Sequence, residues 1–204
     1  SDGSPVASVT GKVRVDDYQG SFIPTIDRPA NLWKSWVILG DMLVGTIGAN
    51  VTVYGRAAGG TSTQQWVNNE TNILSNAVHT AQTNQPTFVV WVQGESAYLQ
   101  TIPEDQSYAN MKSIFGQIKA VSPKTKIFIA IDGDSTGSYN SGIVNAQQKL
   151  ISEFYVFKGG DMQLLRMDPE NRDMPGGWHL NDQGIHALGK QFYDSVIKYQ
   201  PWLD

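Results

Sequence analysis

The sequence predicts an α/β fold built on a parallel sheet, and three observations carry that expectation. Segments rich in Val, Ile and aromatic residues alternate with segments whose apolar residues recur at helical spacing. The run Phe88-Val89-Val90-Trp91-Val92 is apolar without interruption, as in a strand buried on both faces, and it stops at Gln93, Gly94 and Glu95. No repeat, linker or low-complexity stretch divides the 204 residues, which at 40% hydrophobic can bury one sizeable core, so 1–204 is read as a single domain.

Residues 1–30 mix Gly, Ser, Pro and Asp with short alternating pieces such as Lys12-Val13-Arg14-Val15-Asp16, and read as an irregular segment with a short hairpin. From Leu32, apolar residues at Trp36, Leu39, Leu43 and Ile47 mark a helix that ends at Gly48. Val51-Thr52-Val53-Tyr54 is a strand, followed by the glycine-rich turn Gly55 to Ser62. Trp66, Ile73, Ala77 and Val78 suggest a helix before Pro86, and the apolar run at Phe88 follows. Tyr108, Met111, Phe115 and Ile118 define the next helix, and Lys126–Ile131 the next strand. A helix is expected over 143–157, a strand over Met162–Met167, and a last amphipathic helix over 182–198 with Ile185, Leu188, Phe192 and Val196 inward.

Composition removes several function classes. A net charge of −4 without a block of like charges argues against nucleic acid or an anionic membrane as partner, and no apolar run is long enough to span a bilayer. With no cysteine there is no disulfide, thiolate metal site or cysteine nucleophile, and three scattered histidines make a histidine metal cage unexpected. The absence of cysteine leaves the compartment open; the expected setting is secreted, cell-surface or virion-associated rather than cytoplasmic.

In open parallel sheets ligands sit beyond the carboxyl ends of the strands, which draws attention to Gln93, Gly94 and Glu95. His179 follows Gly176-Gly177-Trp178 and precedes Asn181 and Asp182, which look like the cap of the last helix. It reads either as a packing residue or as a general base, since imidazole titrates near neutrality. His79 and His186 lie inside helical patterns and read as ordinary helix residues. Glu95 either caps its strand end or balances the charge of an imidazolium. The Gln93 amide and a backbone N–H at Gly59 or Gly60 could face a developing oxyanion, although a tight turn alone would also explain the glycines.

Ala58-Gly59-Gly60-Thr61-Ser62 with Trp66 downstream, Trp91-Val92-Gln93-Gly94-Glu95-Ser96, and His179-Leu180-Asn181 leading to Gly184 together resemble the SGNH (GDSL-type) hydrolases. The likeness spans roughly 32–198 and is greatest to the branch of carbohydrate-esterase family six and the sialate O-acetylesterase-like proteins, whose Ala-Gln helix signature Val144-Asn145-Ala146-Gln147 resembles. The resemblance implies a three-layer α/β/α sandwich with a sheet of flavodoxin-like order, a serine esterase acting on acetylated carbohydrate, and no metal or other cofactor. It implies His179 as base, Glu95 as candidate acid, and Gly60 with Gln93 as oxyanion donors. Trp66, Tyr98 and Trp178 are candidates for sugar stacking or for core.

Two departures shape the expectations. The family's nucleophile lies in a Gly-x-Ser turn after the first strand, usually with a glycine four residues on. If Gly3 is that glycine, the serine lies two residues before Ser1 and the first strand is missing from this chain. The sheet would then have a gap between its second and third strands, to be completed by an upstream segment or another chain. Ser1 itself is the alternative, and Ser135, in Gly133-Asp134-Ser135, fits only a permuted order. Gly40-Asp41-Met42-Leu43 falls inside a helical pattern and reads as coincidence. The second departure is Gly176, where relatives carry Asp three residues before the histidine, so the carboxylate comes from Glu95, preferred, or Asp173, or is dispensed with. The rival function is a catalytically inactive carbohydrate-binding or structural module on the same fold.

Overall fold

The computed structural model describes residues 12–17, 29–134, 136–139, 141–153, 155–174, 177–200 and 202. The expectations placed on Ser1, Gly3, Ser135 and Gly176 lie outside the described residues. Strand β1 (Val13–Asp17) pairs in parallel with β2 (Val51–Gly55), Val13 opposite Val51, and helix α1 (Pro29–Ile47) lies between them in the chain. The hairpin expected near Lys12 is therefore replaced by a parallel pair, whose strands are joined through a helix because a tight turn can only return a chain antiparallel.

After β2 come α2 (Thr63–Val67), a single 3-10 turn (Glu70–Asn72) and α3 (Ile73–Asn84). Then β3 (Phe88–Trp91), α4 (Glu95–Leu99), α5 (Glu104–Val121) and β4 (Lys126–Ile131) follow. The chain continues through α6 (Gly142–Ile151), β5 (Val156–Asp161), α7 (Met162–Met167), a 3-10 turn (Pro169–Asn171) and α8 (Asp182–Tyr199). Strands β3, β4 and β5 form a parallel sheet in that order.

Alternation along β4 builds two cores. Ile127 and Ile129 face Leu74, Met111, Ile114, Phe115, Ile143 and Leu150 from α3, α5 and α6. Phe128 and Ala130 face Leu39, Leu43, Leu165, Leu188, Phe192 and Val196 from α1, α7 and α8. The result is an α/β/α sandwich with β4 at its centre. Among the described residues neither β1 nor β2 makes a ladder with β3, so the described strands fall into two parallel groups. Accordingly Phe88, Val89 and Val90 are only half-buried, not enclosed on both faces, and Trp91 alone of β3 is buried. No helix among the described residues is long and apolar enough to cross a membrane.

One element is exchanged relative to the sequence pattern. The strand expected over 162–167 is helix α7, and the strand lies just before it, in Val156-Phe157-Lys158-Gly159-Gly160-Asp161. The helix expected over 143–157 ends at Ile151, and the strand takes in Val156 and Phe157 together with Gly159 and Gly160. Their missing side chains admit α8: a Cβ on Gly159 would lie 2.1 Å from Phe192 Cε1, and one on Gly160 2.7 Å from Leu188 Cδ1. Asp161 then starts α7 by accepting from the Leu164 amide at 2.9 Å.

Candidate active site

Three stretches singled out in the sequence are tied together at the carboxyl ends of the strands. After β2 the chain turns at Gly60, whose φ of +73° favours glycine, and a Cβ on Gly59 or Gly60 would meet nothing within 4 Å. This turn is open above. Thr61 Oγ1 closes it from inside by donating to Ala58 O at 2.7 Å, and Trp66 Nε1 donates to Thr61 Oγ1 at 3.1 Å. Trp66 is buried and meets Trp91 edge to face at 4.7 Å, which assigns it to the core and removes it as a stacking surface.

Gln93 joins the Gly59–Gly60 turn to the end of β3, its Nε2 donating to Thr61 O at 3.2 Å, while its Oε1 is buried without a partner. Behind it, Gln147 Nε2 donates to Gln93 O at 2.8 Å and Asp132 O at 2.9 Å, and Gln147 Oε1 accepts from the Asp132 amide at 2.8 Å. Gln147 thus fastens the end of β3 to the end of β4. Gly94 allows the approach, since a Cβ there would lie 1.9 Å from Asp132 O.

Next to this clamp lies a cation that sequence reading missed. Arg166, on α7, is wholly buried, with Nη2 on Glu95 Oε1 and Nη1 on Asp132 Oδ1 at 2.6 Å. Nη1 also donates to Gln163 Oε1 at 3.0 Å, and Nε donates to Trp178 O at 3.0 Å. Burial first, and the Asp132 anion second, push the Glu95 carboxyl up to about 7 against the pull of Arg166. A signal for both missed residues was present. Asp132 ends an apolar strand just as Glu95 follows one, and Arg166 interrupts the apolar run Leu164-Leu165-Arg166-Met167.

The Gly133-Asp134 letters have a local explanation. Gly133 N donates to Gln163 Oε1 at 3.1 Å, and Asp134 Oδ1 accepts from Thr136 N at 2.9 Å, Thr136 Oγ1 at 2.8 Å and Ser138 N at 3.1 Å. Burial works against the Asp134 anion, but these donors and Gln163 hold its carboxyl below the ordinary value.

His179 is half-buried in a short antiparallel return that pairs Arg172 with Leu180. Asp173 N donates to His179 O at 3.1 Å, so Asp173 and His179 sit opposite each other, where side chains share a face. Asn181 caps α8 by accepting from Gly184 N at 3.0 Å, as its position before the helix indicated. His79 and His186 are exposed on α3 and α8. Trp178 lies between Arg166, whose Cζ is 5.8 Å from its ring, and Tyr98 of α4, whose ring centroid is 6.0 Å away. Tyr98 is 39% exposed. Glu95, expected beside His179, has Arg166 as its partner and reaches the histidine's segment through it.

No family model matches the sequence, and the search of curated proteins found no match. Solved structures do match. A family 3 carbohydrate esterase of Clostridium thermocellum superposes with a TM-score of 0.57 at 17% identity, covering 94% of this chain and 97% of that one. A family 3 carbohydrate esterase from Talaromyces cellulolyticus superposes with a TM-score of 0.60 at 13% identity, covering 92% and 96%. The chain has a carbohydrate-esterase-like fold. At these identities the likeness is one of fold alone. Within the carbohydrate-esterase-like fold, the Gly60 turn, Gln93 and the Glu95–Arg166 pair all lie at the carboxyl edge of the strands.

Proposed function

We propose that this chain is a serine esterase that removes acetyl groups from a carbohydrate. The observation that carries the reading is the convergence of three motifs through two contacts: Gln93 Nε2 on Thr61 O, and Arg166 between Glu95 and Trp178 O. A serine hydroxyl attacks the acetyl carbonyl while His179 accepts its proton. The oxyanion is met by the Gly60 N–H and by the second amide hydrogen of Gln93, the first being held by Thr61. Collapse returns the proton to the sugar oxygen, and water, with His179 again as base, releases acetate from the acyl-enzyme. Acetylated sugar is named as substrate because the motifs resemble those of sugar deacetylases and because Tyr98 and Trp178 offer ring faces beside the His179 segment.

The orienting carboxylate must stay ionised when the imidazolium forms. Glu95, with a carboxyl near neutrality and a guanidinium already on it, suits that role less well than Asp173, opposite His179. Within this sequence the nucleophile is Ser1 or Ser135, with Gly59 assisting the turn that holds Gly60.

The test is release of p-nitrophenol from its acetate ester and of acetate from an acetylated polysaccharide, with a fluorophosphonate to trap the serine and peptide mapping to locate it. Activity that His179→Ala abolishes, with one labelled serine, supports the reading. A protein that binds the polysaccharide but releases no acetate and takes no label is instead a non-catalytic module.

A further inference from the structure

We propose that Arg166 is the positioning residue that sets His179, acting through the carbonyl of Trp178. The inference rests on the esterase reading for its kinetic consequence, though not for its structural one. An arginine with no exposed surface is costly to bury and needs partners on all sides. Here each edge of the planar guanidinium has its own task. Nη1 is held by Asp132 at the end of β4 and by Gln163, Nη2 by Glu95 at the start of α4, and Nε is left pointing at Trp178 O, 3.0 Å away.

Trp178 O and the His179 amide belong to one rigid peptide plane. A guanidinium whose two other edges are fixed to the sheet therefore orients the plane from which His179 projects. The opposite strand of the return is tied to the same residue, because Arg172 Nε donates to Arg166 O at 2.5 Å. The Trp178 ring over the guanidinium adds a third tie. A lysine cannot do this, since its ammonium is a point charge without a fork that addresses three directions.

The contacts assign Glu95 to Arg166. One cation faces two carboxylates, Asp132 and Glu95, with Asp134 turned away onto Thr136 and Ser138. Glu95 is the more exposed of the pair, at 30% against 4% for Asp132.

The experiment compares wild type with Arg166→Lys and Glu95→Ala by the imidazole resonances of the three histidines, and by kcat and KM on p-nitrophenyl acetate across pH. His79 and His186, exposed on helices, serve as internal references. Expected for Arg166→Lys are a kcat lowered at least about tenfold, a KM within about twofold, and displacement of the His179 resonances alone. Glu95→Ala, which frees Nη2, should displace the same resonances by less. The proposal is overturned if folded Arg166→Lys leaves the His179 resonances in place, or if kcat is unchanged. If Arg166→Lys does not fold, Glu95→Ala decides by the same resonances. If wild type hydrolyses no acetate ester, the esterase reading fails while the resonances still judge the role of Arg166.

Discussion

The amide of Asp173 donates to the carbonyl of His179 at 3.1 Å, which sets these two residues opposite each other across a short return. In a serine esterase, loss of the orienting carboxylate's charge removes most of the turnover, by up to about 10⁴-fold in a well-studied triad. Asp173→Asn is therefore expected to lower kcat by about 10²-fold or more with little change in KM. Full activity in Asp173→Asn, with kcat lost in Glu95→Gln and normal in Arg166→Lys, would hand the role to Glu95 instead.

Glu95 makes stability depend on pH in an unusual direction for a carboxylate. Its folded value of about 7 lies above the ordinary 4.5, so between those values the folded protein holds a proton that the unfolded chain has released. The contribution is fully present below the lower value and is lost as pH rises through the upper one. Wild-type Tm should fall more between about pH 5 and pH 8 than that of Glu95→Gln. Parallel Tm profiles for the two proteins would contradict the raised value.

Gly159 is the point at which α8 rests on β5. Gly159→Ala drives a methyl to 2.1 Å from Phe192 Cε1, in the core formed with Phe128 and Leu188. Overpacking of this kind costs about 2–3 kcal/mol. The denaturation midpoint should fall accordingly, and a midpoint equal to wild type would mean that α8 can retreat freely.

The aromatic residues near the site separate by substrate. Tyr98→Ala removes the exposed partner of Trp178, so KM for an acetylated polysaccharide should rise several-fold while KM for p-nitrophenyl acetate stays level. Trp66→Phe loses the bond to Thr61 Oγ1, a cost of about 1 kcal/mol, and should lower Tm without changing the ratio of the two KM values. Equal rises on both substrates in Tyr98→Ala would remove it from sugar contact.

Where sequence reading succeeded, the signal was local. The helices α1, α5 and α8 follow from apolar spacing within each segment, and β4 from an unbroken apolar run. Where it failed, the cause lay elsewhere in the chain. The two glycines of β5 leave its pattern without side chains, and Phe192 and Leu188 of α8 fill the space above them. Gln147 looked like a family signature, and its buried amide serves to join the ends of β3 and β4.

The candidate site divides along the same line. The Gly59–Gly60 turn, Gln93, Glu95 and His179 could be named from the sequence because polar residues ending apolar runs, and a histidine before a helix cap, stand out against their neighbours. What each one touches was decided by the tertiary structure. Arg166 comes from a segment that reads as a strand, yet as a helix it reaches three others and pairs with Glu95. Periodicity tells which face of an element is apolar. It cannot tell which buried charges will share that face, because their pairing depends on segments 34 and 71 residues away along the chain.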